Sequence, residues 1–554
     1  MEQNPGPNEA SAQHREATEL GALQSNVETV SLSEPISGHD WLQKVSLDVV
    51  DAIVSWLDPL SSIRFGNACK AFRSAVGDDR PLWYRALRDV AAKHYVAPRS
   101  LDHVRIVSEL RRFSTRPDRL LEAFKDINKP LRATVREFVL DHGNTIPFWA
   151  NDDDRPVYLA PILLPGGRWL LSGVLNYEKL STQLYCWDCM KPHSDNSPLQ
   201  PVATYTWDGW QPRMVKRGWL QAQPDGPNAI TLSCSLWGRN LRDLTHDILR
   251  MSWNSDPGSQ EPPVIEQVAR MDHDFLYTGD DHPQREYDLE GDYVIIETTR
   301  CILVWNWREN LIGVIDDAQH EWANGTGFLL ATVPPYLFVI PHELEEILVM
   351  KIPKLHAMDT SYEPIRPTSI TSHPFLQKVE GLTFSSLFVL DRWVPPSSRS
   401  GTLVLRSHRE TGGSLQQIIS LHHSEETPPV PSHATQEEPP ITHLQPEVID
   451  SMTVVDGVGA LILESFPETD TDDDGHATVK NTMDLDARFY PFLENGGFGE
   501  VVIRVIRVSY PYANSVPCKG FITNLCFVSG TAMIKTEHCF VREKTQAVGI
   551  VYFD

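Results

Sequence analysis

From about residue 154 onward the chain repeats one shape, a short apolar run ending in an aromatic or a polar pair. The members are LYCWD (184–188), ILRMSWN (248–254), ILVWNW (302–307), ILVMKI (347–352), TLVLRSH (402–408), ALILES (460–465) and GIVYFD (549–554). Another short apolar run precedes them, as in GRWLLSGV (167–174), DYVIIETT (292–299) and YLFVIP (336–341). Runs of β-branched and aromatic residues between Gly, Pro, Asp and Asn turns read as strands. Some 400 residues of strands present many edges, and a radially repeated, closed arrangement leaves few of them open to aggregation.

The remaining composition narrows the class. The 554 residues are 41% hydrophobic and 22% charged, which is a folded composition with ample material for a core. Lys and Arg number 49 against 74 Asp and Glu, a net charge of −25. Such a surface repels phosphate backbones and anionic lipid, so neither nucleic acid nor membrane is expected as a partner. The first twenty residues lack the basic start and apolar core of a secretory signal. The apolar stretch FLLATVPPYLFVI (328–340) is interrupted by Pro334 and Pro335 and is too short to span a bilayer. Eight scattered cysteines fit a reducing interior. The expectation is a soluble protein of the cytoplasm, the nucleus or both.

Four parts follow: a polar, disordered arm over 1–39, a helical module over 40–92, a helical linker and connector over 93–153, and the β region over 154–554. In the module, Val49, Ile53 and Leu57 recur at helical spacing until Asp58-Pro59 stops the helix. Phe65, Ala68, Cys69 and Phe72 share a second helical face, and Asp79 with Pro81 opens a third helix that carries Trp83, Leu87 and Ala91. The periodicity continues through Leu101, Val104, Leu120 and Phe124, predicting helix over 101–140. Three short helices cannot bury this much apolar surface alone, which predicts a partner.

The stretch VSLDVVDAIVSWLDPLSSIRFGNACKAFRSAVGDDRPLWYRAL (45–87) resembles an F-box, with wording closest to those of mushroom-forming fungi. The matching positions include Val45, Asp48, Val49, Ile53, Leu57, Asp58-Pro59, Ile63, Cys69-Lys70, Phe72 and Trp83. The resemblance implies docking of Val45, Val49, Ile53, Leu57, Pro59, Ile63, Cys69, Phe72 and Trp83 on an Skp adaptor protein, and through it a cullin–RING ubiquitin ligase. Two departures are Ser46, where the family places Pro, and Ser62, where it usually places Leu; the second removes about 1–2 kcal/mol of contact.

In the β region, Trp187-Asp188 resembles the dipeptide that ends the third strand of a WD-repeat blade. That resemblance implies a degenerate WD-like β-propeller of six to eight blades; the alternative is a pair of β-sandwiches or a jelly roll with insertions. The segments 422–447 and 467–485 read as long surface loops. GIVYFD reads as a blade strand.

Motifs of chemistry are sparse. Asp470, Asp472, Asp474 and Gly475 open like a calcium loop, but position 12 is Asn481 where a bidentate Glu belongs. Cys186 and Cys189 form a lone C-x-x-C, and residues three apart on a strand face opposite sides. His342-Glu343 lacks the second His of a zinc helix, and no nucleophile elbow, P-loop or dinucleotide fingerprint occurs. Trp207, Trp210 and Trp219 interleaved with Arg213, Lys216 and Arg217 suit either a binding loop or the core. No metal, cofactor or catalytic residue is expected. The function implied is a non-catalytic substrate receptor of an Skp–cullin–F-box ubiquitin ligase, its β domain holding a client protein. The alternatives are an interaction scaffold without a ubiquitination role and, more distantly, a propeller enzyme or calcium-binding protein.

Overall fold

The computed structural model describes residues 46–126, except 69 and 78, and from 128 to 553 the strands named below with the short turns joined to them. The chain divides into two compact units, Met1–Asp79 and Arg80–Asp554.

In the first unit, α1 (Leu47–Ser55), α2 (Pro59–Ala68) and α3 (Lys70–Gly77) follow one another closely. Ser46 caps α1, its hydroxyl accepting the Val49 N–H at 3.4 Å, so a polar cap starts the helix where the F-box family uses proline. Asp58 caps α2, accepting the Ser61 N–H at 2.8 Å, and Pro59 occupies the first turn, where its missing N–H costs nothing. The sequence reading of one helix through Phe65, Cys69 and Phe72 is corrected: α2 ends at Ala68 and α3 begins at Lys70. Phe65 and Phe72 therefore sit on different helices, and their rings stack at 4.4 Å. Ser62 and Gly66, one turn apart, are the buried residues of α2. A methyl group on Gly66 would touch the Val76 side chain at 3.4 Å, so α2 and α3 pack closely through small residues.

The second unit begins with α4 (Arg80–Lys93) and α5 (Val107–Lys125). Helix was expected through residue 140, but Ala133–Leu140 is strand β1. Its Val135, Phe138 and Leu140 side chains are buried and Thr134 and Arg136 exposed, a side-to-side alternation that only a strand accommodates.

Successive antiparallel meanders follow. The first sheet holds β2 (Tyr158–Leu163), β3 (Trp169–Asn176), β4 (Ser181–Asp188) and β5 (Pro201–Trp207); the second holds β6 (Arg217–Pro224), β7 (Ala229–Trp237), β8 (Leu244–Ser252) and β9 (Val264–Asp272). The third runs β10 (Tyr287–Glu290), β11 (Tyr293–Glu297), β12 (Cys301–Asn306) and β13 (Leu311–Asp316). The fourth runs β14 (Phe328–Val333), β15 (Tyr336–Pro341) and β16 (Glu346–Lys351); β17 (His356–Ala357) then joins the third sheet and β18 (Ile370–Pro374) the fourth. The fifth holds β19 (Leu382–Val389), β20 (Thr402–Arg409), β21 (Ser414–Ser424) and β22 (Thr427–Glu437). The last contains β23 (Met452–Val455), β24 (Gly459–Thr471), β25 (Ala477–Pro491), β26 (Val502–Ser509), β27 (Gly520–Cys526), β28 (Thr531–Thr536), β29 (Val541–Arg542) and β30 (Thr545–Phe553), together with β1. The segments expected as long loops at 422–447 and 467–485 are corrected in part, since Thr427–Glu437 and Ala477–Pro491 are strands.

First strands of successive sheets adjoin: β2 meets β6, β6 meets β10, β10 meets β14, and β14 meets β19, while β2 also meets β28. The cores lie between sheets. Leu184 and Cys186 of the first pack with Leu232 and Cys234 of the second. Ile248 and Met271 of the second pack with Leu303 and Trp305 of the third. Val304 of the third packs with Leu337 and Met350 of the fourth, and Trp187 of the first with Phe138, Met533 and Ile550 of the last. The first three sheets are thus covered on both faces, which is why ILVWNW carries apolar residues without alternation. A two-sheet sandwich covers one face of each sheet and leaves the other wet, so this packing overturns the sandwich alternative for these sheets.

Strand β1 pairs antiparallel with β30 from Ala133–Phe553 through Leu140–Gln546. The turn before β28 sets Gly530 at φ +64°, where an added Cβ would meet the Phe553 carbonyl oxygen at 2.8 Å and the Arg116 guanidinium at 2.9 Å. Gly530→Ala is expected to cost about 1–3 kcal/mol, read as a lowered denaturant midpoint with an unchanged slope. Deleting Thr545–Asp554 removes a strand bonded to β1, β28 and β29, and should turn cooperative unfolding into aggregation on mild heating.

Candidate functional site

Helix α1 is apolar on two sides. Val50 and Val54 point inward and are buried, whereas Val49 and Ile53 are 48% and 40% exposed. Trp56, the residue that closes α1, is 89% exposed. Positions 49, 53 and 56 fall at i, i+4 and i+7, so the three side chains share one outward row. An exposed tryptophan beside two β-branched residues is costly to leave in water, and burying each on a partner would yield about 1.5–3 kcal/mol. Trp56 is the member that the sequence reading missed, because it closes the helix in place of Leu57.

The other expected docking residues divide. Leu57 lies past the end of α1 and is half-buried, as are Pro59 and Ile63. Phe72 is buried. Trp83 is fully buried in the second unit, its carbonyl accepting the Ser114 hydroxyl at 3.5 Å and its ring lying 6.0 Å from the Arg111 guanidinium. Phe72 and Trp83 therefore support helices and do not themselves face outward. Val45 and Cys69 lie outside the described residues, as do Asp472, Asp474 and Gly475 of the calcium-like run and Trp210, Arg213 and Lys216 of the tryptophan loop. Trp207 of that loop is core, packed edge-on against Tyr205 at 5.2 Å.

The segment between α4 and α5 is seated on the β region. Arg168 grips Asp188 through Nε at 3.1 and 3.0 Å and through a second nitrogen at 2.7 Å, and donates to the Arg99 carbonyl at 2.7 Å. Its guanidinium lies 4.4 Å from the Trp169 ring, whose N–H donates to the Pro98 carbonyl at 2.8 Å. Arg99 in turn donates to the carbonyls of Asn254, Asp256 and Ser259 in the second sheet's turn. From α5, Arg116 donates to the Ser529 carbonyl, and Arg504 donates to the Ala123 carbonyl at 2.6 Å.

Cys186 and Cys189 pack in separate clusters on opposite faces of the first sheet. Burial pushes both thiols well above their usual range, with neighbouring charge adding to it, so neither carries a nucleophilic thiolate. Buried His246 sits between Ser233 Oγ at 2.7 Å from Nε2 and Ser235 Oγ at 2.6 Å from Nδ1, edge-on to Trp305. It ties strands β7 and β8. Among the described residues no group of three or more His, Cys, Asp and Glu is placed to hold a metal, and no helix is long and apolar enough to cross a membrane.

No protein family and no curated protein matches the chain. Among solved structures, the N-terminal domain of Nup159 is similar at a TM-score of 0.35 and 8% identity, covering 77% of this chain and 97% of that one. The β-propeller domain of Cps50 (Swd1) from Myceliophteria thermophila follows at 0.34 and 7%, covering 76% and 99%. A periplasmic gluconolactonase of Pseudomonas aeruginosa, PpgL, scores 0.27 at 11% identity, covering 64% and 87%. Likeness at these scores decides nothing about the fold, which follows from the strand order described above.

Burial raises the Asp58 carboxyl, but hydrogen bonds from Ser61 and Leu60 outweigh it and hold the group below its usual range. Because the folded value is the lower one, the stabilisation is complete at neutral pH and fades as pH falls below about 4. Asp58→Ala is expected to cost about 1 kcal/mol at pH 7 and less at pH 3, measured by chemical denaturation. Cys186 and Cys189 should resist iodoacetamide in the native protein at pH 8 and react on unfolding, as mass spectrometry of their peptides would show.

Proposed function

We propose that this chain is a substrate-receptor subunit of an Skp–cullin–F-box ubiquitin ligase. The exposed row of Val49, Ile53 and Trp56 on α1 carries this reading: an apolar helix face at the F-box-like stretch, with a second apolar side already used internally. The family pattern from Val45 to Trp83 supplies the partner, an Skp adaptor. Ser46 as a helix cap and Ser62 as a close-packing residue account for the two departures without loss of the helices.

The β region is read as a WD-like propeller. Five sheets make five blades, and the last sheet, in which β23–β26 join β27, β28, β30 and β1 through the β24–β27 and β1–β26 pairings, is read as two more. Trp187-Asp188 ends the third strand of its sheet, the place that a WD dipeptide takes. The propeller would hold a client protein, and the chain would act by proximity, with ubiquitin transfer carried out by other subunits.

The test is co-expression of the full chain with an Skp adaptor, followed by size-exclusion chromatography. Wild type is expected to co-elute, and Ile53→Asp, which places a charge in the apolar row, should weaken the complex about tenfold or more. Co-elution of a folded Ile53→Asp protein at wild-type stoichiometry and affinity would exclude this docking face.

A further inference from the structure

The charge of this chain is unevenly placed. Between Arg80 and Arg119, ten Lys and Arg stand against four Asp and Glu, a net of +6 within a total of −25, which leaves −31 on all other residues. Of the ten, Arg99 donates to turn carbonyls, Arg111 lies near the Trp83 ring and Arg116 donates to the Ser529 carbonyl. Arg80, Arg85, Arg88, Lys93, Arg105, Arg112 and Arg119 are exposed.

Helix α4 concentrates this charge beside an aromatic ring. Its exposed residues Pro81, Tyr84, Arg85, Arg88 and Ala92 follow the helical repeat, and Tyr84 is 57% exposed. Asp89 is the one acidic residue of α4. The opposite side carries Trp83 and Leu87, both buried, so the face is held rigidly before any partner arrives. Tyrosine and arginine on a fixed helix are the residue types that carry most of the energy of protein interfaces.

We propose that the outward face of α4, centred on Tyr84, Arg85 and Arg88, docks an acidic segment of a partner protein. Charge complementarity selects the sign. The chain's overall charge of −25 selects a short acidic peptide over nucleic acid, because a long polyanion is repelled by the molecule as a whole. A short run of Asp and Glu fits within the α4 face. Tyr84 and Arg85 fall inside the F-box-like stretch 45–87 but are not among its docking positions, and the adaptor reading rests on the outward row of α1.

The probe is a fluorescein-labelled oligoglutamate of about ten residues, titrated against the full chain by anisotropy. Binding is expected to weaken about tenfold between low and moderately high salt. The double variant Arg85→Glu with Arg88→Glu should abolish it, Tyr84→Ala should weaken it several-fold, and Lys351→Glu on the fourth sheet should leave it unchanged. An unaltered thermal midpoint for each variant shows that the helix still stands. Absence of binding at low salt, or equal binding by the folded double variant, overturns the proposal. Tighter, Arg85- and Arg88-dependent binding of a single-stranded DNA of equal charge would also overturn it, in favour of a nucleic-acid surface.

Discussion

The pairing of β1 with β30 is the constraint on which the second unit depends. The residues run in register from Ala133 opposite Phe553 to Leu140 opposite Gln546, joining the start of the β region to its far end. The other sheets are meanders of nearby strands, with β17 returning past the fourth sheet to join the third. The β1–β30 pairing is the most extensive of the contacts that bring the last sheet to the first, alongside the approach of β28 to β2 and the shared cluster of Trp187, Phe138 and Ile550. Loop-closure entropy opposes such a contact, and eight paired residues plus two buried faces offset it.

The helical lead-in is fixed to that same closure. Phe124 of α5 meets Phe527 and Phe553 edge-on at 6.2 and 6.0 Å, and Arg116 reaches the turn that holds Gly530. At the other end of the lead-in, the Arg168–Asp188 pair binds the Arg99 backbone, and Arg99 caps the turn of the second sheet. Each of these arginines donates to backbone carbonyls of turns, a role that lysine's single point of charge performs less well. Helices α4 and α5 are thus built into the β unit, and the spacer expected from sequence is a part of its architecture.

Much of this was legible from residues. The apolar runs from LYCWD to GIVYFD all fall on strands, because side chains needed on both faces of a sheet leave a signal without alternation. Asp58-Pro59 marked a helix boundary through the ring's own geometry. What stayed hidden follows from long-range competition. Ala133–Leu140 reads as helix or strand alike until β30, some four hundred residues away, supplies its hydrogen bonds. Thr427–Glu437 is rich in proline and polar residues, and its hairpin partner β21 decides its state. At the candidate site the period found Val49 and Ile53 but placed Leu57 in the row that Trp56 takes, since i+7 continues a helical row as well as i+8 and α1 ends before Leu57. Phe72 and Trp83 were recognised as important, yet burial assigns them to the interior.

The separation of β1 from its partner also sets the order of events during synthesis. Ribosomes add about 5–20 residues per second, so β1 leaves the tunnel some 20–80 s before β30 can reach it. Through that interval the first sheet has one face without its cover, exposing Leu170, Tyr185 and Trp187, which later sit in the closing cluster. The meanders can form one by one as they emerge, but the molecule spends most of its translation as an open row with an apolar end. Until β30 arrives, that apolar end is open to any other chain, and closure withdraws it.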